Sequence, residues 1–173
     1  MKRTFLFFAL ASSAVALFVI PCRVPAQTGS IRQQLLGTWK LVSYVREDVR
    51  TGARSDVWGP HPSGYITFGP DGRMMVILVG SDRKAPAGSL ATPDEAEGLI
   101  ESMLAYAGTY TIDEKAKTLT YDIDVSWTQA RTGRAVVRSY QLDGDRITLK
   151  TQAEADPATG EKTIRTVVFD KVK

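Results

Sequence analysis

The chain has 173 residues, of which 24% are charged, and its net charge is +3. Three of the 22 basic residues, Lys2, Arg3 and Arg23, precede residue 27, so the rest of the chain has 19 basic and 19 acidic residues. This balance excludes the concentrated basic face that nucleic-acid binding needs. The single cysteine, Cys22, lies in the same N-terminal segment, so the remainder must be held together by its core without a disulfide.

The N-terminal segment predicts an export signal. A basic start, Lys2-Arg3, precedes an uncharged apolar run over residues 5–20, and Val24-Pro25-Ala26 places small residues where a signal peptidase cuts. The run is short for a membrane span, and an uncleaved anchor is the alternative. We expect a signal peptide at 1–26, cleavage after Ala26, and one periplasmic or secreted domain at 27–173 with no transmembrane segment.

The mature chain begins with a helical turn and a strand. Residues 31–36 form the turn, which Gly37 ends. A strand over 39–47 follows, and its alternation predicts that four side chains share one face. These are Trp39, Leu41, Ser43 and Val45.

A hairpin follows the long polar loop over residues 48–63. Its strands, 64–68 and 73–80, are joined by Gly69-Pro70-Asp71-Gly72, in which proline presets the first turn position and Gly72 supplies the left-handed residue. This turn predicts two inward pairs. They are Phe68 with Met74, and Ile66 with Val76.

The one substantial helix starts after a second loop, over residues 81–91. Thr92 is its cap, Pro93 suits the first helical position, and Glu95 completes a capping box. We expect the helix to continue to Gly108, where glycine ends it. Its apolar side would consist of Leu99, Ile100, Met103, Leu104 and Tyr106.

Strands then follow in quick succession. The clearest, over residues 118–128, alternates strictly and predicts five side chains on one face. They are Leu119, Tyr121, Ile123, Val125 and Trp127. The others are predicted at 109–113, 134–142, 146–151 and 162–171.

Eight strands with short connections and one apolar face favour a closed sheet. Such a sheet removes the exposed edges that an open one would leave. We therefore predict an all-β fold, an eight-stranded antiparallel up-and-down barrel with one mid-chain helix. A β-sandwich is the alternative.

Several blocks of this sequence resemble the lipocalin-like family, whose members are related to the calycin barrels. The blocks are residues 36–41, 59–60, 64–66, 68–74, 105–110 and 140–146. The first contains the G-x-W motif, Gly37 and Trp39, that opens the first strand in lipocalins. The resemblance implies a small barrel with a cavity for an apolar molecule. It also implies a structural Trp39 that plugs the closed end beneath an arginine, for which Arg165 is the candidate.

Arg138 is the first candidate for ligand binding. It shares a strand face with Val136, Tyr140 and Leu142, which predicts a guanidinium inside an apolar barrel. A buried cation is costly unless it is paired, and a guanidinium fits a carboxylate. The Arg-x-Tyr spacing resembles the carboxylate clamp of intracellular fatty-acid-binding proteins. A structural arginine, set against Trp39 or a protein carboxylate, is the alternative.

Further cavity-lining candidates come from the inward faces of other strands. Aromatic side chains with a polar tip suit a pocket that orients an apolar ligand, although the same residue types also build a solid core. Besides Arg138 and Tyr140, the candidates are Phe68, Met74, Tyr110, Tyr121, Ile123 and Trp127.

The sequence contains few of the residues that catalysis or metal binding requires. Its single histidine, His61, lies in a proline-rich loop, and the mature chain has no cysteine, so we predict no metal site and no cofactor. No phosphate-binding loop or nucleophile elbow is present.

These observations favour an exported protein that binds a small apolar molecule, with a carboxylate or carbonyl head near Arg138. One alternative is an isomerase or cyclase in which Tyr121, Tyr140 and Arg138 act on an apolar intermediate. Another is a protein-binding module that uses the loops over 48–63 and 81–92, and a filled interior would favour it.

Overall fold

A computed structural model describes residues 30–156 and 159–173, so the predicted leader and its cleavage site lie outside the described residues. The described part contains helices α1 (Ile31–Leu35) and α2 (Pro93–Glu101), a short 3-10 turn (Gln129–Arg131) and ten strands. The strands are β1 (Gly37–Asp48), β2 (Arg54–Asp56), β3 (Ser63–Phe68), β4 (Arg73–Val79), β5 (Met103–Asp113), β6 (Thr118–Ser126), β7 (Ala135–Asp143), β8 (Arg146–Lys150), β9 (Glu154–Ala155) and β10 (Lys162–Lys171).

The sheet closes on itself through the pairing of its first and last long strands. β1 runs antiparallel to β10 from the pair Trp39–Lys171 to the pair Asp48–Thr163. Eight strands, β1, β3 to β8 and β10, form the barrel in chain order, and the short strands β2 and β9 pair beside β1 and β10. The predicted eight-stranded up-and-down barrel is confirmed.

One end of the barrel is closed by α1 and a buried tryptophan. Trp39 is fully buried, and its Nε1 donates a hydrogen bond to the backbone oxygen of Leu35 at 2.8 Å. Lys171 Nζ lies 5.0 Å from the centroid of the Trp39 ring and donates to the backbone oxygen of Gln34. The cation beside Trp39 is therefore Lys171, and the prediction of Arg165 in this place is wrong because β10 places Arg165 six positions nearer the open end.

The predicted hairpin between β3 and β4 is confirmed. Phe68 pairs with Met74 and Ile66 with Val76. Gly72 has φ +84°, the left-handed backbone that favours glycine. The four paired side chains are buried in the core.

A bulge in β1 changes which of its residues face inward. The register against β10 shifts between Leu41 and Ser43, so Val42 is the extra residue. Trp39 and Leu41 face the core as predicted, but beyond the bulge the inward positions are Tyr44 and Arg46. The prediction that Ser43 and Val45 share the face of Trp39 is wrong for this reason.

A second irregularity has the same effect on β6. Ala107 pairs with Val125 and Gly108 with Ile123, which leaves Asp124 as the extra residue. Leu119, Tyr121 and Ile123 are buried as predicted, whereas Val125 is 58% exposed. The prediction of an unbroken inward face from 119 to 127 is therefore wrong beyond Ile123.

Helix α2 is shorter than its sequence predicts. The capping box at Thr92 and Glu95 is present, but the helix ends at Glu101. Met103 to Ala107 instead form the start of β5, because they pair with β4 from Val79 to Met75. Pairing with β4 prevails over the local helical pattern here. Within the described ranges, no helix is long and apolar enough to cross a membrane.

Truncation of the plug tests the account of the closed end. Trp39→Ala should lower the free energy of unfolding by about 3–5 kcal/mol, because it removes a buried ring and leaves a cavity. Met75→Ala, at a position that is 62% exposed on the outer face, should change it by less than about 0.5 kcal/mol. Urea denaturation measures both, and similar losses would contradict the assignment of Trp39 as the plug.

Candidate functional site

Side chains fill most of the barrel interior, and within the described part of the chain a small cavity lies towards the open end. Its volume is about 40 Å³, which accommodates a few water molecules. Pockets for drug-sized ligands are roughly 300–1,000 Å³. The lining residues include Tyr44, Leu104, Tyr106, Tyr121, Arg138 and Arg165.

Two of the predicted cavity residues, Arg138 and Tyr121, line this space. The side chain of Arg138 is 16% exposed, and it lies on the inward face of β7, as the alternation predicts. Trp127 lies just beyond β6, half-buried, and does not line the cavity. The other predicted residues belong to the surrounding hydrophobic core. They are Phe68, Met74, Tyr110, Ile123 and Tyr140.

Tyr140 lies apart from Arg138. It lines a different, surface depression together with Ile31, Glu114 and Lys117. Burial raises the pKa of the Tyr140 phenol, and the charge of Glu114 adds to the effect. The Arg-x-Tyr pair of the sequence therefore does not converge on the cavity.

Tyr110 belongs to the opposite part of the barrel. Its hydroxyl donates a hydrogen bond to the backbone oxygen of Gly69 at 3.1 Å, and the Arg32 guanidinium lies 5.6 Å from its ring centroid. Its ring meets that of Phe68 edge to face, with centroids 5.0 Å apart. This tyrosine helps to fix the β3–β4 hairpin.

Five charged side chains near the cavity form what we call the inner arginine cluster: Arg46, Arg138, Arg165, Glu154 and Asp156. Arg46 Nη1 lies 3.0 Å and Arg165 Nη2 3.4 Å from the same oxygen, Asp156 Oδ2. Glu154 lies 4.0 Å from both Arg138 Nη1 and Arg165 Nη1, too far for hydrogen bonds. The pairing of β1 with β10 places Arg46 directly opposite Arg165.

Cations outnumber anions in this cluster. Its three guanidinium groups face two carboxylates. Arg138 Nη1 donates at 3.1 Å to its neighbour, the backbone oxygen of Val137. Among the described residues, the five side chains of the cluster therefore carry one more positive than negative charge.

Burial keeps the phenols beside the cluster protonated. Burial raises the pKa of Tyr121 well above 10.0, and the nearby Tyr106 raises it further, while Arg138 lowers it in part. Burial also raises the pKa of Tyr106 and Tyr44. Tyr121 is therefore a hydrogen-bond donor across the physiological pH range.

The hydroxyl of Tyr121 is buried and has no hydrogen-bond partner among the described residues. An unsatisfied buried polar group costs about 1–3 kcal/mol. A ligand atom or a water molecule in the adjacent cavity would remove this cost. The hydroxyl therefore marks the cavity as a place for a hydrogen-bond acceptor.

The cavity lining includes Tyr44, whose ring meets that of Trp58 edge to face with centroids 5.0 Å apart. Trp58 Nε1 donates to the backbone oxygen of Glu101 at 3.1 Å. The backbone oxygen of Trp58 accepts from Ser81 N at 2.8 Å. Trp58 thus joins the loop after β2, the loop after β4 and the end of α2 at the barrel mouth.

Sequence reasoning missed Tyr44, Tyr106 and Arg46. A strict period of two does not predict that Tyr44 and Arg46 face inward, because it does not include the β1 bulge. The sequence pattern also places Tyr106 on the predicted helix. Asp156 lies between the predicted strands at 146–151 and 162–171, yet it is 4% exposed and pairs with two arginines. No local signal in the sequence indicates these positions, because each depends on a bulge or on pairing with a distant strand.

The single histidine is not among the residues that line the cavity. His61 is exposed, and its backbone N–H donates to Ser81 Oγ at 2.8 Å. Across residues 30–156 and 159–173, no three His, Cys, Asp or Glu side chains are placed to hold a metal ion.

Comparison with known proteins places this barrel in a family. Among solved structures, the chain is similar to As-p18, an extracellular fatty acid binding protein, with 16% identity and a TM-score of 0.35 over 81% of this chain and 97% of that one. No curated protein matches the chain. Residues 36–172 match the model of the lipocalin-like domain. The chain therefore belongs to the lipocalin-like family.

The raised pKa values predict a loss of stability at alkaline pH. Above about pH 10 the unfolded chain loses phenolic protons that the folded protein keeps, so the free energy of unfolding falls by up to about 1.4 kcal/mol per pH unit for each such tyrosine. Tyr121→Phe should make this slope shallower in urea denaturation between pH 9 and 11. Tyr65→Phe, on the outer face, is the matched control, and an unchanged slope in Tyr121→Phe would contradict the prediction.

Proposed function

We propose that this protein binds a small molecule through an acidic or carbonyl head that enters the cavity beside Arg138, Arg165 and Tyr121. The observation that carries the proposal is the charge of the inner arginine cluster. Three guanidinium groups face two carboxylates beside a buried hydroxyl that has no partner. An anionic head would supply the missing charge and an acceptor for the hydroxyl.

The geometry of the donors supports a carboxylate in particular. A guanidinium matches the two oxygens of a carboxylate, and such charge-assisted hydrogen bonds are stronger than neutral ones. Arg138 and Arg165 both line the cavity, with side chains 16% and 22% exposed. Burying these charges away from water costs free energy unless an opposite charge compensates them.

The size of the cavity limits how much of the ligand enters. About 40 Å³ accepts a head group and excludes a long apolar tail. We infer that the apolar body lies at the barrel mouth and displaces Tyr44 and Leu104, which line the cavity and are only partly buried. A deeply enclosed fatty-acid chain, as a hollow barrel would hold, has less support.

Export and a carrier or scavenger role complete the proposal. The leader predicted at 1–26 supports a periplasmic or secreted location. Membership of the lipocalin-like family supports a ligand-binding role without identifying the ligand. The isomerase or cyclase alternative has less support, because Tyr140 does not reach the cavity that Tyr121 and Arg138 line.

Removal of the Arg138 guanidinium tests the proposal. Arg138→Leu should weaken the binding of decanoate by about 10- to 100-fold, because a hydrogen bond to a charged group contributes about 1.5–3 kcal/mol. Isothermal titration calorimetry measures the affinity, and native mass spectrometry of the purified protein reports any ligand that copurifies.

Arg146→Leu is the matched control, because Arg146 pairs with Asp170 and both side chains are about half exposed. It should leave the affinity for decanoate unchanged. Equal affinity in the wild type and in Arg138→Leu would remove this arginine from the site. No binding of acidic or carbonyl ligands by the wild type would overturn the proposal.

A protein-binding module is the second candidate, and one observation favours it. A surface groove of about 530 Å³ between residues 81–87 and α2 is much larger than the interior cavity. Leu99 lines this groove together with the oppositely charged Arg83 and Glu95. If this candidate is correct, Leu99→Glu should abolish the copurification of a specific protein partner, whereas Arg138→Leu should retain it.

A further inference from the structure

We infer that the inner arginine cluster selects a ligand head with a single negative charge, and that Asp156 is the protein's own competitor for that position. The inference rests on the proposed function and names its ligand class, a monocarboxylate. It also identifies Asp156 as the residue that determines this specificity.

Asp156 contacts two arginines among the described residues, and it can give up one of them. Its Oδ2 lies 3.0 Å from Arg46 Nη1 and 3.4 Å from Arg165 Nη2. If Arg165 turns towards a ligand, Asp156 keeps the shorter contact to Arg46, and its Oδ1 accepts from the backbone N–H of Thr159 at 3.4 Å. A buried carboxylate that keeps a guanidinium partner avoids most of the penalty of an unpaired charge.

Arg165 can change partner without a change in the barrel. Its backbone N–H donates a hydrogen bond to Thr151 Oγ1 at 2.9 Å. The backbone of β10 can therefore stay in register while the side chain of Arg165 moves. Its contact to Glu154 is 4.0 Å, beyond hydrogen-bond distance. Arg165 also lines the cavity with Arg138, so both guanidinium groups can reach one head.

The charge count favours a head with one negative charge. A monoanion brings the cluster to three cations and three anions. A neutral head leaves one cation uncompensated, and a dianion adds one excess anion to a poorly hydrated site. Discrimination between ligands then follows from the repulsion of the second charge as well as from attraction of the first.

The selectivity is tested with three ligands of the same chain length, decanoate, decanol and decyl phosphate, at pH 8. A phosphate monoester has a second pKa of about 6 and is then mostly a dianion. Calorimetry on the chain from residue 27 to residue 173 should give the highest affinity for decanoate, by about tenfold over each of the others.

Asp156→Asn keeps the size of the side chain and removes one negative charge from the cluster. The affinity for decyl phosphate should rise by about tenfold, so that the preference for decanoate is lost or reversed. Because the phosphate is the larger head in both proteins, the change between them reports charge and not volume. Asp170→Asn, on the same strand, removes a carboxylate that pairs with exposed Arg146 and should leave the preference unchanged.

Arg46→Gln provides the test if Asp156→Asn fails to fold, which circular dichroism and urea denaturation reveal. Without Arg46, Asp156 should retain Arg165 more firmly, and the affinity for decanoate should fall by about tenfold. An unchanged affinity in that variant would contradict the inference.

The two proposals fail in different ways. If the wild type binds none of the three ligands, the proposed function is wrong. If it binds decanoate but Asp156→Asn keeps the wild-type preference, the function stands and the role of Asp156 is wrong. A wild type that binds decyl phosphate as tightly as decanoate would also overturn the selection of a single charge.

Discussion

The antiparallel pairing of β1 with β10 is the constraint on which the rest of this structure depends. It joins residues more than a hundred positions apart and turns a meandering sheet into a closed barrel. At one end the same pairing brings Lys171 to the ring of Trp39, and at the other it sets Arg46 opposite Arg165. The plug and the charged site are thus two results of one strand register.

A single extra residue in β1, Val42, separates the part of the strand that forms the plug from the part that contributes to the charged site. Upstream of Val42 the inward side chains are apolar, and beyond it they are Tyr44 and Arg46. Without the bulge, the period of two would direct Ser43 and Val45 inward and leave the guanidinium of Arg46 outside. Bulges in strands often redirect a side chain near a functional site, and this one supplies Asp156 with its closer partner.

Much of the fold can be predicted from the sequence, because alternation and turn chemistry are local. The β3–β4 hairpin, the capping box at Thr92 and the inward direction of Arg138 all follow from residues within a few positions of one another. The site is different, because it depends on non-local contacts. The bulge in β1 turns Tyr44 and Arg46 inward against the strict alternation. Pairing with β4 makes the predicted end of the helix part of β5. Closure of the sheet places Lys171, and not Arg165, beside Trp39.

The two ends of the barrel are held by interactions of different kinds. At the closed end, the side chains of Trp39 and Lys171 donate hydrogen bonds to backbone oxygens of α1. At the open end, an ion pair joins Arg46, whose side chain is 41% exposed, to Asp156, whose side chain is 4% exposed. Dissolved salt screens such a partly buried pair much less than a pair on the surface. Rising ionic strength will therefore weaken the exposed pair of Arg146 with Asp170 before it loosens the mouth of the barrel.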